Sequence, residues 1–196
     1  MIKSHNFKNS LNKIKFIDLF CGIGGFRIAL ESFGAQCVFS SDFDKDCQKV
    51  YELNFGEKPI GDIKELKNKD VPNHDILCAG FPCQPFSQAG KRLGSEDDRA
   101  IWPQMLRVIR EARPTWVLGE NVSGIITMEL DNVLSDLEGE GYTTQTLIIP
   151  ATGVDARHRR ERVWIVANSS GNRREQMPDG IISKRVGIGE QIHEQK

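Results

Sequence analysis

The chain has 196 residues, of which 39% are hydrophobic and 27% charged, as in a soluble globular protein with one ordinary domain or slightly more. Its formal net charge of -1 excludes an overall electrostatic attraction to nucleic acid, so any such binding needs a local basic patch. The five cysteines are scattered without a C-x-x-C pair, which argues against a zinc site and a disulfide framework. A reduced, intracellular setting is therefore expected.

The amino terminus is polar and lacks the apolar core of a signal peptide. No stretch approaches the roughly eighteen apolar residues that span a bilayer. We therefore expect a cytoplasmic or nuclear protein without a membrane segment. The pattern divides the chain into a polar lead-in over 1–13, one folded domain over 14–168 and a loosely ordered tail over 169–196.

Apolar runs and helix-like patterns alternate along the chain. The predicted strands are 14–20, 36–41, 75–79, 115–119, 142–149 and 163–167. The predicted helices are 26–33, 45–54, 98–112 and 125–137. This alternation predicts an α/β fold with a mostly parallel sheet and helices on both faces. The last two strands have no helix between them, which predicts an antiparallel edge strand.

A glycine-rich turn over 21–25 follows the first predicted strand. Glycines let the backbone turn tightly and approach a ligand, beside the N–H groups that begin the next helix. Asp42 ends the second strand about twenty residues later, where such folds hydrogen-bond a ribose. Phe43 could lie on a purine, and Asp62 could accept from an adenine amino group. Together these residues indicate nucleoside binding, although each acid alone could be a solvated loop carboxylate.

Cys83 lies in the stretch 80–87, directly after an apolar strand. Pro82 and Pro85 restrict the backbone on either side, so Cys83 is expected on a rigid turn at the carboxyl end of the strand. A lone cysteine is more often a small buried hydrophobe. The two prolines, with the charged residues described next, favour a reactive thiol instead.

Glu120 ends the buried run 116–119, so we expect a carboxyl group in apolar surroundings that stays protonated near neutrality and donates a proton. Arg160 and Arg162 are two residues apart, which places them on one face of a strand. They could stabilise an anion or position a base. A salt bridge from Glu120 to one of these arginines is the alternative, and it is compatible with catalysis.

Four blocks of the sequence together resemble the ordered motifs of DNA (cytosine-5)-methyltransferases. They are FIDLFCGIGGF over 16–26, GFPCQPFS over 80–87, ENV over 120–122 and RRER over 159–162. The resemblance extends in order from about residue 15 to residue 167. It implies a Rossmann-like S-adenosylmethionine-dependent methyltransferase fold and double-stranded DNA as the substrate.

The resemblance also implies roles for individual residues. Cys83 would attack C6 of a cytosine flipped out of the duplex, and Glu120 would protonate N3 of that base. Arg162, with Arg160, would position the base and Glu120. Asn121 would help to hold the active-site loop. The S-adenosylmethionine site would be lined by Phe20, Gly22, Gly24, Asp42, Phe43, Asp62, Ile63 and Pro82. Residues 87–99 would be a mobile loop that closes over DNA.

The sequence departs from the family in three places. The family usually continues through a target-recognition domain and two closing motifs, so we expect a catalytic amino-terminal portion, either a fragment or one chain of a split enzyme. A second chain would then supply the remainder. His158 stands where the family commonly has Gln, which is a tolerable change. Cys21 replaces a small residue, and we expect it to pack against the glycine turn rather than act as a second nucleophile.

Several functions remain open from sequence. The first is DNA cytosine-5 methylation, in a restriction-modification or phage or host modification system, without a metal. The second is methylation of tRNA cytosine, because a branch of the family shares the catalytic motifs. A catalytically silent cofactor-binding or DNA-binding remnant is a third, and an unrelated nucleotide-binding α/β domain with a structural Cys83 is the fourth. The basic residues over 157–174 would contact phosphates, which position DNA without specifying its sequence.

Overall fold

The computed structural model describes residues 11–82 and 101–169. Within these residues six strands form one sheet in the order β2-β1-β3-β4-β6-β5. The strands are β1 Lys15–Leu19, β2 Gln36–Ser41, β3 Ile76–Ala79, β4 Trp116–Val122, β5 Tyr142–Pro150 and β6 Glu161–Ser169. The carboxyl ends of β1 to β4 therefore meet at one edge, because these strands pair in parallel.

The last two strands form the antiparallel part of the sheet, as the sequence predicts. Strand β6 runs antiparallel to both β4 and β5, so the reversed strand lies one position inside the edge strand β5. Burial explains this order. Val163, Ile165 and Ala167 of β6 are fully buried, whereas Leu147 and Ile148 of β5 are exposed. The apolar strand takes the position with neighbours on both sides.

Five α-helices cover the sheet in the described residues. They are α1 Gly25–Ser32, α2 Lys45–Phe55, α3 Trp102–Ala112, α4 Ile125–Met128 and α5 Leu130–Gly139. The single helix predicted over 125–137 is wrong, because the backbone leaves the helical region at Glu129. The break at Glu129 separates α4 from α5. Ile125 of α4 and Val133 and Leu137 of α5 are nevertheless all buried in one core.

Both faces of the sheet are covered, as predicted. On one face Ile17, Leu77 and Val117 belong to the same core as side chains of α3 and α5. On the other face Phe16 and Cys78 belong to a smaller cluster, against which residues of α1 pack. Alternate residues of one strand enter opposite cores because successive side chains point to opposite faces.

In the parts of the chain that the structure describes, no helix has the length and apolarity needed to cross a membrane. Residues 11–82 and 101–169 also contain no group of three or more His, Cys, Asp or Glu that could hold a metal ion. The predicted loop over 87–99, the first ten residues of the lead-in and the tail from residue 170 lie outside the described residues.

Candidate active site at the carboxyl edge of the sheet

The carboxyl ends of β1, β3 and β4 converge on Gly80, which follows β3. A β-carbon at Gly80 would lie 3.6 Å from Oε2 of Glu120 and 4.0 Å from the carbonyl oxygen of Phe20. Glycine at this position therefore lets three strand ends approach one another closely. The edge brings together two of the sequence-predicted site residues, Glu120 and Phe20, from separate blocks of the chain.

Glu120 forms an ion pair with Arg162 across two neighbouring strands. Nε of Arg162 lies 2.8 Å from Oε1 of Glu120, and both side chains are about one quarter exposed. The pair is diagonal, because Glu120 is registered with Trp164 and Arg162 with Val122. The environment thus differs from the apolar surroundings predicted for Glu120, whereas the alternative prediction of a salt bridge to an arginine is confirmed. The difference arises because β4 continues through Glu120 and β6 brings the arginine beside it.

Apolar rings stand next to this ion pair. The rings of Phe26 and Trp164 meet edge to face with centroids 5.7 Å apart. Phe26 also lies 4.0 Å from the β-carbon position of Gly80, which is itself next to Glu120. A planar base beside Glu120 would therefore meet aromatic surface as well as charge. Sequence analysis missed both rings, and their signal was weak: Trp164 shares the strand face of Arg162 by its spacing alone.

The segment leading to Cys83 is anchored by Asn121. Nδ2 of Asn121 donates to the carbonyl oxygen of Phe81 over 2.9 Å, and its Oδ1 accepts from the N–H of Val122. Asn121 is buried, and the ring of Phe81 packs against that of Trp102 at a centroid distance of 5.4 Å. This hydrogen bond ties the chain two residues before Cys83 to the strand that carries Glu120. Cys83 itself lies outside the described residues.

The glycine turn has positive φ angles, which favour glycine. Gly22 and Gly24 have φ angles of 53° and 94°, and Phe20 also has a positive φ of 53°. The N–H of Gly24 donates to the carbonyl oxygen of Cys21 over 2.8 Å. A β-carbon at Gly22 would meet no atom within 4 Å. The turn therefore has open space on the side of Gly22, where a ligand could approach the backbone.

Asp42 links the ends of β1 and β2 by holding this turn. Its Oδ2 accepts from the N–H of Gly22 over 2.8 Å, and its Oδ1 accepts from the N–H of Asp44 over 2.9 Å. The side chain of Gln48 donates to the carbonyl oxygen of Asp42. The neighbouring Phe43 is 64% exposed. Asp42 thus serves the geometry of the turn, and Phe43 presents the aromatic surface predicted for a purine.

Asp62 and Ile63 lie at the next loop along the same edge. Ile60 forms a single parallel bridge with Ser41, and the hydroxyl of Ser41 donates to the carbonyl oxygen of Gly61 over 2.9 Å. Oδ1 of Asp62 accepts from the N–H of Lys64. Asp62 thereby caps the short 3-10 turn over Ile63–Glu65. The side chain of Ile63 is buried in the core, so contact with a ligand would have to come from its backbone.

The family model for C-5 cytosine-specific DNA methylases matches residues 14–195. The chain belongs to this family. The match includes the four sequence blocks and the strand ends that they form. The sheet of this chain, with its parallel strands and one reversed strand, agrees with the S-adenosylmethionine-dependent methyltransferase fold that the resemblance implies.

Curated relatives and solved structures agree with this family. The Type II methyltransferase M.HhaI of Haemophilus parahaemolyticus is 44% identical over 161 residues, which are 80% of this chain and 49% of that protein. The Type II methyltransferase M.DsaV of Dactylococcopsis salina is 45% identical over 165 residues, or 82% and 47% of the two chains. The crystal structure of S. pombe Dnmt2 methyltransferase is similar with a TM-score of 0.69 and 25% identity, over 80% of this chain and 51% of that one. The chain spans about half the length of the curated relatives it matches.

The other predicted site residues, Pro82 and Arg160, lie at different distances from the ion pair of Glu120 with Arg162. Pro82 is half-buried and is the last described residue before the gap. Arg160 is exposed and precedes β6, with a positive φ of 24°. The strand face that Arg160 was predicted to share with Arg162 is therefore not formed, because the backbone at Arg160 is not extended. Arg162 is the arginine that the structure brings to Glu120.

The strand that leads into the glycine turn carries a buried acid to which the sequence patterns assigned no role. Asp18 in β1 is fully buried, and neither carboxyl oxygen has a hydrogen-bond partner. Burial raises the pKa of Asp18 well above its usual value, against a smaller lowering by the nearby Arg27. Burial, followed by the charges of Asp18 and Asp42, also raises the pKa of Cys21. A buried thiol that is held protonated fits the expected packing role of Cys21 and not that of a nucleophile.

Proposed function

We propose that the protein is a DNA (cytosine-5)-methyltransferase that acts through Cys83. The observation that supports this most directly is the Glu120–Arg162 ion pair beside Gly80, at the edge that also carries the glycine turn. The carboxyl group lies two strands, and the guanidinium three strands, from the glycine turn after β1. This arrangement suits a reaction between a nucleobase and a bound nucleoside cofactor. Membership of the methylase family makes cytosine the expected base.

In this proposal Cys83 forms a bond from its sulfur to C6 of a cytosine flipped out of the duplex. Glu120 donates a proton to N3, so that the electron pair of the C5–C6 double bond becomes available at C5. After C5 has been methylated, a base removes the C5 proton, the double bond re-forms, and the thiolate leaves C6. The proton on N3 returns to Glu120. Each bond made to the enzyme is thus broken again within one turnover.

Arg162 would hold Glu120 and the base in a fixed relation. Its Nε bonds Glu120, and its Nη1 donates to the carbonyl oxygen of Glu161 over 2.9 Å. A guanidinium fixed by two partners presents its remaining donors in one direction, towards an acceptor such as the base carbonyl. Arg160 is proposed to act with it, from the exposed loop that precedes β6. Asn121 would orient the segment before Cys83 through the carbonyl group of Phe81.

The residues of the glycine turn fit S-adenosylmethionine. The open space at Gly22, the positive φ angles and the exposed ring of Phe43 form a surface that suits a nucleoside. When bound, S-adenosylmethionine supplies the methyl group. The residues proposed to hold it are Phe20, Gly22, Gly24, Asp42, Phe43, Asp62, Ile63 and Pro82. Asp42 and Asp62 would accept hydrogen bonds from the ribose and the adenine amino group.

Double-stranded DNA is the proposed substrate, within a restriction-modification setting and an intracellular location. The matched part of the chain covers about half the length of its curated relatives. We propose that a further polypeptide segment or a second chain supplies the recognition of the target sequence. The folded domain proposed over 14–168 would then be the catalytic portion.

Covalent trapping tests this function. The protein is incubated with S-adenosylmethionine and a DNA duplex that carries 5-fluorocytosine at every cytosine position, so that the target sequence need not be known. Fluorine at C5 prevents loss of the substituent there, and the Cys83 adduct should persist as a species of higher mass that survives denaturation. Cys83→Ala should abolish it, whereas Cys21→Ala should retain it.

The experiment is run with this chain alone and with a candidate partner chain, and methyl transfer to tRNA is measured in parallel. An adduct on DNA in either arrangement supports the proposal. Methyl transfer to tRNA and not to DNA would replace it with tRNA methylation. Binding of S-adenosylmethionine by the folded protein without an adduct in any arrangement would support a catalytically silent remnant.

A further inference from the structure

The glycine turn rests on an aromatic ring that a different helix supplies. A β-carbon at Gly24 would lie 2.2 Å from Cε2 and 2.5 Å from Cζ of Phe55, and 3.3 Å from the ring of Tyr51. Gly24 has a φ of 94°, so its conformation and its contact both depend on the missing side chain. The ring at the end of α2 therefore packs directly against the turn at Gly24, whereas Gly22 has open space beside it.

The ring of Phe55 is itself held in place. It packs on the ring of Tyr51 with centroids 4.5 Å apart at an angle of 52°. The guanidinium carbon of Arg27 lies 4.5 Å from the centroid of Phe55 and 5.6 Å from that of Tyr51. Arg27 therefore covers the ring that supports Gly24, in the geometry of a cation–π contact.

Arg27 is fixed by partners from three places. Its Nε lies 2.9 Å from Oε1 of Glu31 in the same helix, and its Nη1 lies 3.0 Å from Oε2 of Glu57, just beyond α2. Nη1 also donates to the hydroxyl of Tyr51 over 3.4 Å. The Arg27 side chain is only 8% exposed. A guanidinium that is buried and paired in this way has one orientation, since each of its three nitrogens donates to an acceptor.

The contacts of Arg27 connect α1 with the end of α2. Arg27 belongs to α1, the helix that follows the turn, whereas Phe55 ends α2 and Glu57 lies two residues beyond it. Burial alone would lower the pKa of Arg27, but hydrogen bonds to Glu57 and Tyr51 outweigh it and raise that pKa. The guanidinium thus remains charged, and its contacts do not weaken across the pH range of the cell.

We propose that Arg27 and Phe55 are positioning residues for the turn over 22–24, and that they set the affinity for S-adenosylmethionine without touching it. This inference rests on the proposed function, because it assigns the turn to that cofactor. Its physical basis is that loss of the Arg27–Phe55 contact lets the ring leave Gly24. The backbone N–H groups of the turn would then no longer be held in the binding conformation before the ligand arrives.

Two substitutions test the proposal with S-adenosylhomocysteine as the ligand. Arg27→Lys keeps the charge but loses the planar fork that bonds Glu57 while lying over the ring, and Phe55→Leu removes the ring. Each should weaken binding of S-adenosylhomocysteine about tenfold in calorimetry. Phe55→Tyr, which keeps the ring, should restore the wild-type affinity within about twofold.

Two control variants separate positioning from general destabilisation. Val133→Ala should lower the melting temperature through loss of buried core, with the affinity unchanged. Arg110→Lys alters an exposed ion pair with Glu140 and should change neither. If Val133→Ala weakens binding as much as Arg27→Lys at equal loss of melting temperature, the proposal is overturned.

Hydrogen exchange provides a readout that needs no ligand. The peptide over 20–25 should exchange at least several-fold faster in Arg27→Lys and Phe55→Leu than in Val133→Ala, measured well below every melting temperature. Unchanged exchange at this peptide would overturn the proposal even if binding weakens. If the wild-type protein binds no S-adenosylhomocysteine, the proposed function fails, while faster exchange at the turn would still support positioning by Arg27.

Discussion

The two parts of the site edge are built in different ways. On the side of β1 and β2, the carboxylate of Asp42 is nearly buried and both its oxygens accept from backbone N–H groups. On the side of β4 and β6, Glu120 is about one quarter exposed and forms an ion pair with a side chain, Arg162. The first side is therefore held by hydrogen bonds from backbone N–H groups to a carboxylate. The second is held by an ion pair between two side chains, which can exchange partners.

This difference suits the two tasks proposed for the edge. A cofactor surface benefits from a conformation that exists before binding, because no ordering is then needed when the ligand arrives. A group that must transfer a proton needs access to its substrate and a partner that tolerates the change of charge. Substitutions on the two sides should therefore have different effects, on cofactor affinity at the first side and on methyl transfer at the second.

The largest effect is expected from Glu120→Gln. The amide keeps the shape of the side chain but has no acidic proton, and it removes the charge that pairs with Arg162. Methyl transfer should fall about 10²- to 10⁴-fold, whereas affinity for S-adenosylhomocysteine should stay within about twofold. Steady-state methylation assays and calorimetry on the same preparation measure the two quantities. An equal loss of both would show that the two sides of the edge are not separate.

The next largest effect concerns the two glycines of the turn. Gly24→Ala would force a β-carbon against Phe55 at a positive φ, so it should cost about 1 to 3 kcal/mol of folding free energy. Gly22→Ala meets no atom of the protein, so it should cost less stability and yet abolish binding of S-adenosylhomocysteine. Chemical denaturation and calorimetry on both variants test this. Wild-type affinity in Gly22→Ala would mean that the ligand does not approach the turn there.

Asp18→Asn should stabilise the protein at neutral pH by about 1 to 3 kcal/mol, because the amide avoids the cost of burying a carboxylate charge or of protonating it at that pH. The folded-state pKa of Asp18 lies above the ordinary value of 3.8, so the wild-type protein is penalised as pH rises above that value. The advantage of the variant should therefore be smallest near pH 4 and grow towards neutrality. Denaturation midpoints across this range measure it. A difference that grows as pH falls would contradict the assignment.

The smallest effect is expected from Tyr142→Phe, far from both sides of the edge. The buried hydroxyl of Tyr142 donates to the carbonyl oxygen of Pro114 over 2.7 Å. Its loss should cost about 1 kcal/mol of stability and leave both cofactor affinity and methyl transfer unchanged. Thermal unfolding with activity assays tests this reference point. A change in activity would show that stability alone alters the site, and it would weaken the distinction drawn between its two sides.

Much of the fold could be predicted because local patterns matched the final environment. The strands around Leu77, Val117 and Ile165 are buried on the faces that their apolar runs indicate. The helix around Ile125 was predicted as one piece, since its periodicity does not reveal that Glu129 leaves the helical region. The position of β6 inside β5 could also not be predicted, because strand order depends on contacts between distant residues.

The candidate site shows the same division. The glycines of the turn, the acid at the end of β2 and Glu120 were identified from residue type and spacing, since turns and strand ends constrain which residues they accept. The role of Asn121 came from the family resemblance. Phe26, Trp164 and the Arg27–Phe55 contact were missed, because aromatic and arginine side chains occur in many surroundings and no spacing in the sequence brings these together.

By itself, therefore, the sequence determined the class of fold through its apolar periodicity and the residue types at the strand ends through local backbone geometry. It indicated the family through the resemblance of four motif blocks. The tertiary structure alone decided that Arg162 and not Arg160 contacts Glu120. It also decided that the carboxylate of Asp42 accepts a hydrogen bond from the backbone N–H of Gly22 in the turn. It also decided that a ring from α2 lies under Gly24. These facts depend on which distant segments pack together, and packing is set by the whole core rather than by any one stretch of the chain.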